Sequence, residues 1–177
     1  MSDRAASVGP STGRDAGDVP GEAGDSSGDD APRGLVQLLD GPNLNLLGQR
    51  EPEIYGATTL DEHVETVRRA AGELGLAVEH LQSNHEGEIV EAIHAARGRC
   101  AGIVINPGAF THYAWAIHDA LAAFAGPVVE VHLSNPQRRE SWRHTSVVSP
   151  VATGTISGLG GMGYVLAVKA VARLLDA

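Results

Sequence analysis

The chain has 177 residues, 42% of them hydrophobic, a formal net charge of −9 and one cysteine. That is enough apolar chain for one globular domain; the acidic balance argues against a nucleic-acid partner, and Cys100 alone forms no internal disulfide and builds no cysteine-rich zinc site. No apolar run reaches the ~18 residues of a membrane span, and residues 1–33 lack the apolar stretch of a signal peptide, so a soluble, cytoplasmic protein without a membrane partner is expected.

Residues 1–33 are rich in Gly, Ser, Asp, Ala and Pro and carry seven acids, three arginines and no aromatics. Such a segment buries too little apolar surface to offset its ordering entropy, and it reads as a disordered arm before one folded domain over residues 34–177. Short apolar runs then alternate with amphipathic stretches. Leu35–Leu39, Leu76–Leu81, Gly102–Ile105, Pro127–Leu133 and Thr153–Ser157 read as strands. Between the first two, Leu60, Val64, Val67, Ala71 and Leu74 form a helical stripe, with Thr59 and Glu62 as a capping box and Gly75 as the stop. Ile89, Ile93 and Ala96 mark a second helix with Asn84 as its expected cap; Ala114, Ile117, Leu121 and Phe124 mark a third, and Val165, Val168, Ala172 and Leu175 a fourth. Five strands alternating with four helices predict an α/β fold, a flavodoxin-like doubly wound parallel sheet with helices on both faces. In such sheets ligands bind outside the carboxyl ends of the strands.

Polar residues collect at those ends. Asp40, Gly41, Pro42, Asn43 and Asn45 follow the first strand, Asn106, Pro107, Gly108, Thr111 and His112 the third, and Ser134, Asn135, Arg138, Arg139 and Arg143 the fourth. Glu130 and His132, two apart on one strand, share a face. A carboxylate there can orient the imidazole and favour its protonated form, as suits a general acid; the same pair would also serve as a plain hydrogen-bonded cap of the sheet edge. Gly48 to Gly56 has neither period and reads as a loop or lid. Its Tyr55 has an ordinary pKa near ~10 and becomes a base only if a cation such as Arg50 stabilises the phenolate; the alternative is a half-buried surface tyrosine.

The runs Gly41-Pro42-Asn43-Leu44-Asn45-Leu46-Leu47-Gly48 with Arg50, Pro52 and Tyr55-Gly56, Gln82-Ser83-Asn84-His85-Glu86-Gly87, Ile105-Asn106-Pro107-Gly108-Ala109 and Glu130-Val131-His132-Leu133-Ser134-Asn135 together resemble type II 3-dehydroquinate dehydratase. The resemblance covers residues 34 to about 175. It implies trans elimination of water from 3-dehydroquinate to 3-dehydroshikimate in the shikimate pathway, with no cofactor and no metal. It casts Tyr55 as base, Arg50 as its electrostatic partner, Asn43 as holder of a water at the enolate oxygen, and His132, oriented by Glu130, as acid. It places Asn106, the Leu133 backbone and Ser134 around the substrate carboxylate and a nearby hydroxyl, His112, Asp119 and Arg143 on the other hydroxyls, and Arg139 at the rim. Electrostatics alone would send Arg143 to the carboxylate, and both placements stay open. The family also forms dodecamers built from trimers, in which the residue matching Asp119 reaches a neighbour's site.

Two other readings compete. Gly158-Leu159-Gly160-Gly161-Met162-Gly163 satisfies G-x-G-x-x-G, but a dinucleotide site needs a following strand and an acid ~20 residues on, and neither follows; a tight turn and close packing of the last helix is the expected role. A flavodoxin-like nucleotide-binding or signalling module would need clustered carboxylates and a lysine near them, whereas Asp40 stands alone and Lys169 is the sole lysine. His63, His80, His85, His94, His118 and His144 read as surface or hydrogen-bonded structural histidines.

Overall fold

The computed structural model describes residues 31–49 and 57–177. Among them are five strands, β1 (Gly34–Asp40), β2 (Leu76–Gln82), β3 (Gly102–Asn106), β4 (Val128–His132) and β5 (Gly154–Ser157), and four α-helices, α1 (Leu60–Gly72), α2 (Glu86–Ala96), α3 (Trp115–Ala122) and α4 (Met162–Leu175). The strands pair in parallel in the order β2-β1-β3-β4-β5, the doubly wound arrangement expected from the alternation. Residues 1–30 of the expected arm lie outside the described residues. Arg33 belongs to the packed body: its N–H donates to the Gly75 carbonyl at 2.8 Å, and its guanidinium donates to the Leu74 carbonyl and pairs with Asp176 just past α4.

The apolar runs form strands because both faces of the sheet are covered. Val36, Leu38, Val104, Val129 and Val131 pack under α1 and α4, and Leu39, Ile103, Ile105 and Val128 under α2 and α3. Each fully buried Leu, Ile or Val contributes roughly 1.5–3 kcal/mol, so the two layers hold the sheet between them. Helix α1 starts at the expected capping box, with the Thr59 hydroxyl accepting from Glu62 N–H and the Glu62 carboxylate accepting from Thr59 N–H. After α1 the chain reverses at Gly75, φ +69°.

Two details differ from the sequence expectation. Asn84 does not cap α2; its side-chain oxygen accepts from Asn43 N–H at 2.8 Å, the N-cap position falls to His85 with no side-chain capping bond, and the Ser83 hydroxyl accepts from His85 N–H at 2.9 Å and donates to Glu88. On α4 the buried stripe is Tyr164, Ala167, Val168, Val171 and Ala172, while Leu175 is exposed. The glycine run before α4 makes a turn, with Gly158 and Gly160 at positive φ, and a Cβ on Gly163 would lie 3.3 Å from Val131.

The strand ends are pulled together at the carboxyl edge. Gly41 N–H donates to the Asn106 carbonyl at 2.8 Å, Ser83 N–H to the Asp40 carbonyl at 2.9 Å, and the Gln82 amide to the Gly41 carbonyl at 3.2 Å. Gly41 passes so near Pro107 that a Cβ would sit 2.3 Å from its carbonyl oxygen. Only a glycine fits without moving backbone, so Gly41→Ala is expected to cost about 1–3 kcal/mol, as overpacking does. Calorimetry should show melting lowered by several degrees; unchanged melting would contradict this close approach.

Candidate active site

The turn after β1 sets the first wall. Asn43 has φ +66°, a left-handed conformation that costs most residues about 1–2 kcal/mol but that asparagine tolerates better. Its backbone N–H is held by Asn84, and the short 3-10 turn Leu44–Leu46 follows. Gly108, at φ +56°, brings the chain after β3 back against Pro42. Between these turns and the segment after β4 lies a cavity of about 210 Å³, open on one side. Its size suits a small molecule.

The cavity collects most of the residues named from sequence. Asn43, Asn106 and His112 line it from the first and third strand ends, and His132, Leu133, Ser134, Arg139 and Arg143 from the fourth. Trp142 closes the rim over His112, with ring centroids 5.2 Å apart, and carries the Arg143 guanidinium 4.0 Å above its own ring. Arg143 Nε also donates to Glu140 at 2.8 Å, and Arg139 Nε lies 3.7 Å from the same carboxylate, so Glu140 neutralises part of the positive rim. Asp119 is exposed on α3 and does not line this chain's cavity. Arg50 and Tyr55 lie outside the described residues.

Glu130, fully buried behind His132, is the most heavily bonded side chain of the site. Its Oε1 accepts from His132 Nε2 at 2.8 Å and from the Thr111 hydroxyl at 2.5 Å, with Ser146 Oγ at 3.2 Å. Its Oε2 accepts from Ser149 and, at 3.4 Å, from Thr155, its register neighbour on β5. Burial pushes the carboxyl pKa up, but the hydrogen bond and charge of His132, with the Ser149 and Thr111 hydroxyls, outweigh it and hold the group below its ordinary range. A carboxylate only accepts, so His132 must carry its proton on Nε2, leaving Nδ1 as the nitrogen that can serve the cavity. His112 is set the other way, its Nδ1 2.8 Å from the Thr145 carbonyl, which makes Nε2 an acceptor in the neutral ring.

Sequence reasoning missed a second buried group. Asp40, the lone carboxylate of its strand end, has partners of other kinds: it has no exposed surface, accepts from the Tyr164 hydroxyl, and lies 3.0 Å from His80 Nε2. Burial above all, and then the Asp40 charge, push the Tyr164 phenol well above its ordinary range, so this tyrosine keeps its proton. His63 departs from the expected satisfied histidines. Its Nε2 is buried without a hydrogen-bond partner among the described residues, and burial, opposed by Asp40 and Glu62, lowers its pKa and keeps it neutral. Among the described residues no group of three or more His, Cys, Asp or Glu could hold a metal ion, and no helix is long and apolar enough to cross a membrane.

Comparison with known proteins follows the same lines. The family model described as dehydroquinase class II matches residues 35–172. A protein of Pseudomonas putida named 3-dehydroquinate dehydratase 2 is 55% identical over 142 residues, 80% of this chain and 95% of that one. One of Corynebacterium efficiens named 3-dehydroquinate dehydratase 1 is 54% identical over 140 residues, 79% of this chain and 93% of its own. The crystal structure of type II dehydroquinase from Propionibacterium acnes superposes with a TM-score of 0.75 at 46% identity, covering 79% of this chain and 97% of that chain.

The bonding of Glu130 has a thermodynamic sign. Because its folded pKa is lowered, its stabilisation is fully present above the unfolded value of about 4.3 and is lost as pH falls through the folded value. Urea unfolding of wild type and Glu130→Gln should show a midpoint gap that holds steady near neutrality and narrows below about pH 4. A gap independent of pH would mean that Glu130 is not ionised in the folded protein.

Proposed function

The chain belongs to the class II dehydroquinase family and is a 3-dehydroquinate dehydratase of the shikimate pathway; we propose that it eliminates water in the trans sense through an enolate, with a tyrosine base and a histidine acid. The observation that carries the mechanism is the convergence of Asn43, Asn106, Ser134 and His132 on one small cavity, with the ionised Glu130 locked behind the histidine.

Tyr55, as phenolate beside Arg50, takes the proton next to the ketone. The electron pair left behind moves onto the ketone oxygen, where a water held by Asn43 stabilises the enolate as its charge develops. Collapse of the enolate forms the carbon–carbon double bond and expels the hydroxyl, which His132, entering the step as the imidazolium with its Nε2–H on Glu130, protonates from Nδ1 as it leaves, ending as the neutral ring. The products are water and a conjugated enone. Of the other tyrosines, Tyr164 is buried with a raised pKa, and Tyr113 is exposed and does not line the cavity. Neither competes with Tyr55 as base.

Asn106, the Leu133 backbone and Ser134 take the substrate carboxylate and adjacent hydroxyl. His112 Nε2 accepts from a second hydroxyl, and Arg143 and Arg139 complete the rim. No step uses a metal or cofactor, and Lys169 is exposed on α4 and does not line the cavity, so it forms no imine with the substrate. Asp119 is assigned to the cavity of a neighbouring subunit, in a dodecamer built from trimers. A fully active monomer in solution would remove that assignment.

The test is formation of the enone from 3-dehydroquinate by purified protein with excess chelator, followed by its ultraviolet absorbance. Turnover should survive chelation and should fall at least ~10³-fold in Tyr55→Phe, in line with loss of a general base, with melting unchanged. Absence of product in the wild type would end the reading, and near-normal turnover by Tyr55→Phe would move the base elsewhere.

A further inference from the structure

Asp40 and Asn106 are register partners on adjacent strands, so their side chains emerge side by side on the face covered by α4. Tyr164, 1% exposed on that helix, lies across both: its hydroxyl donates to Asp40 Oδ1, and Asn106 Nδ2 donates to its oxygen at 2.8 Å. The other oxygen of Asp40 faces His80 Nε2 at 3.0 Å. Neither Asp40 nor Tyr164 lines the cavity; Asn106 does. We propose that Asp40 and Tyr164 are positioning residues that fix which end of the Asn106 amide faces the substrate, and so select an oxygen-rich group of the ligand at that point.

The direction follows from proton counting. As a carboxylate, Asp40 offers acceptors only, so the single Tyr164 hydroxyl proton must point at it. The phenol oxygen is then left to accept, and the asparagine must turn Nδ2 toward it. Asn106 Oδ1 accordingly accepts from Gly108 N–H at 3.3 Å. Turning the amide over would set oxygen against the phenol oxygen and nitrogen against the Gly108 N–H, which loses both bonds and buries the groups unpaired. One N–H of Asn106 is thereby consumed by Tyr164, and the second is what the amide can give to a carboxylate or hydroxyl oxygen in the cavity. The raised phenol pKa keeps the relay in this one polarity across the working pH range.

The proposal rests on the dehydratase reading for its ligand but not for its geometry, and the two are tested separately. In 15N-labelled protein without substrate, the Asn106 side-chain amide should show one strongly shifted proton, the one bonded to Tyr164. Asp40→Asn keeps an oxygen toward Tyr164 and should retain that signature. Asp40→Leu leaves the hydroxyl free to donate to Asn106 instead, and Tyr164→Phe removes the partner; both should lose it. With 3-dehydroquinate, kcat/KM should fall about tenfold or more in Asp40→Leu and in Tyr164→Phe, the loss of roughly one hydrogen bond to the ligand, and stay within about threefold of wild type in Asp40→Asn. A purely packing role predicts instead that Asp40→Leu, of similar size, also keeps the amide signature. If Asp40→Leu kept both the amide signature and its kcat/KM, or if Asp40→Asn lost as much as Asp40→Leu, the relay would be overturned. Tyr164→Phe, which keeps the ring in place, decides the matter should Asp40→Leu fail to fold. A wild type that shows the amide signature and does not convert 3-dehydroquinate would sink the activity and leave the relay standing.

Discussion

Two carboxylates with no exposed surface end neighbouring parts of this sheet: Asp40 closes β1 on the α1/α4 side, and Glu130 stands near the end of β4 on the α2/α3 side. Taking an ionised carboxylate out of water costs several kcal/mol, which the fold must offset with donors. Among the described residues neither is hydrogen-bonded to an arginine or lysine; Asp40 is met by His80 and the Tyr164 hydroxyl, and Glu130 by His132 and several hydroxyls. That choice has consequences for function. Because a carboxylate only accepts, every group that satisfies it has its proton direction decided; of the groups so fixed, His132 lines the cavity and Tyr164 stands directly behind Asn106, which does.

The chemistry of the site follows from that constraint. Glu130 fixes the ring of His132 and leaves Nδ1 as the nitrogen that can serve the cavity, while Thr111, Ser146, Ser149 and Thr155 fix Glu130. Asp40 acts at one remove, through Tyr164, on Asn106. The cavity walls are held in place by backbone: Asn43 in its left-handed turn, Gly41 against Pro107, and Gly108 against Pro42. A site assembled this way needs little reorganisation when charge develops on the substrate, which is where preorganised dipoles contribute most to rate.

Much of this was legible in the amino-acid sequence, for reasons that are physical. Strands buried on both faces must be continuous apolar runs, and the Thr59–Glu62 box and the Gly75 reversal are local signals. The polar residues at the strand ends are short-range features too, and the rule that ligands bind there brought Asn43, Asn106, His132 and Ser134 together before any coordinates did. What stayed hidden was long-range. Asp40 finds its partners 40 and 124 residues away, and Tyr164 sits in an apolar helical stretch where it reads as core. Ser146 and Ser149 look like turn residues, and Thr155 like an ordinary strand residue, until β5 closes against β4. Asn84 carries the side chain of an N-cap but spends it on Asn43. The roles of Arg50 and Tyr55 come from the family pattern.

The central claim, that a buried acceptor sets the proton direction of the groups serving the cavity, is most directly tested at His132. In 15N-histidine-labelled protein, with the His132 signals assigned by their loss in His132→Gln, the chemical shifts of the two ring nitrogens report which one carries the proton in the neutral ring. The account predicts the proton on Nε2, held by Glu130, with Nδ1 bare toward the cavity. A proton on Nδ1 with Nε2 bare would contradict it, because two acceptors would then face each other in the buried pair.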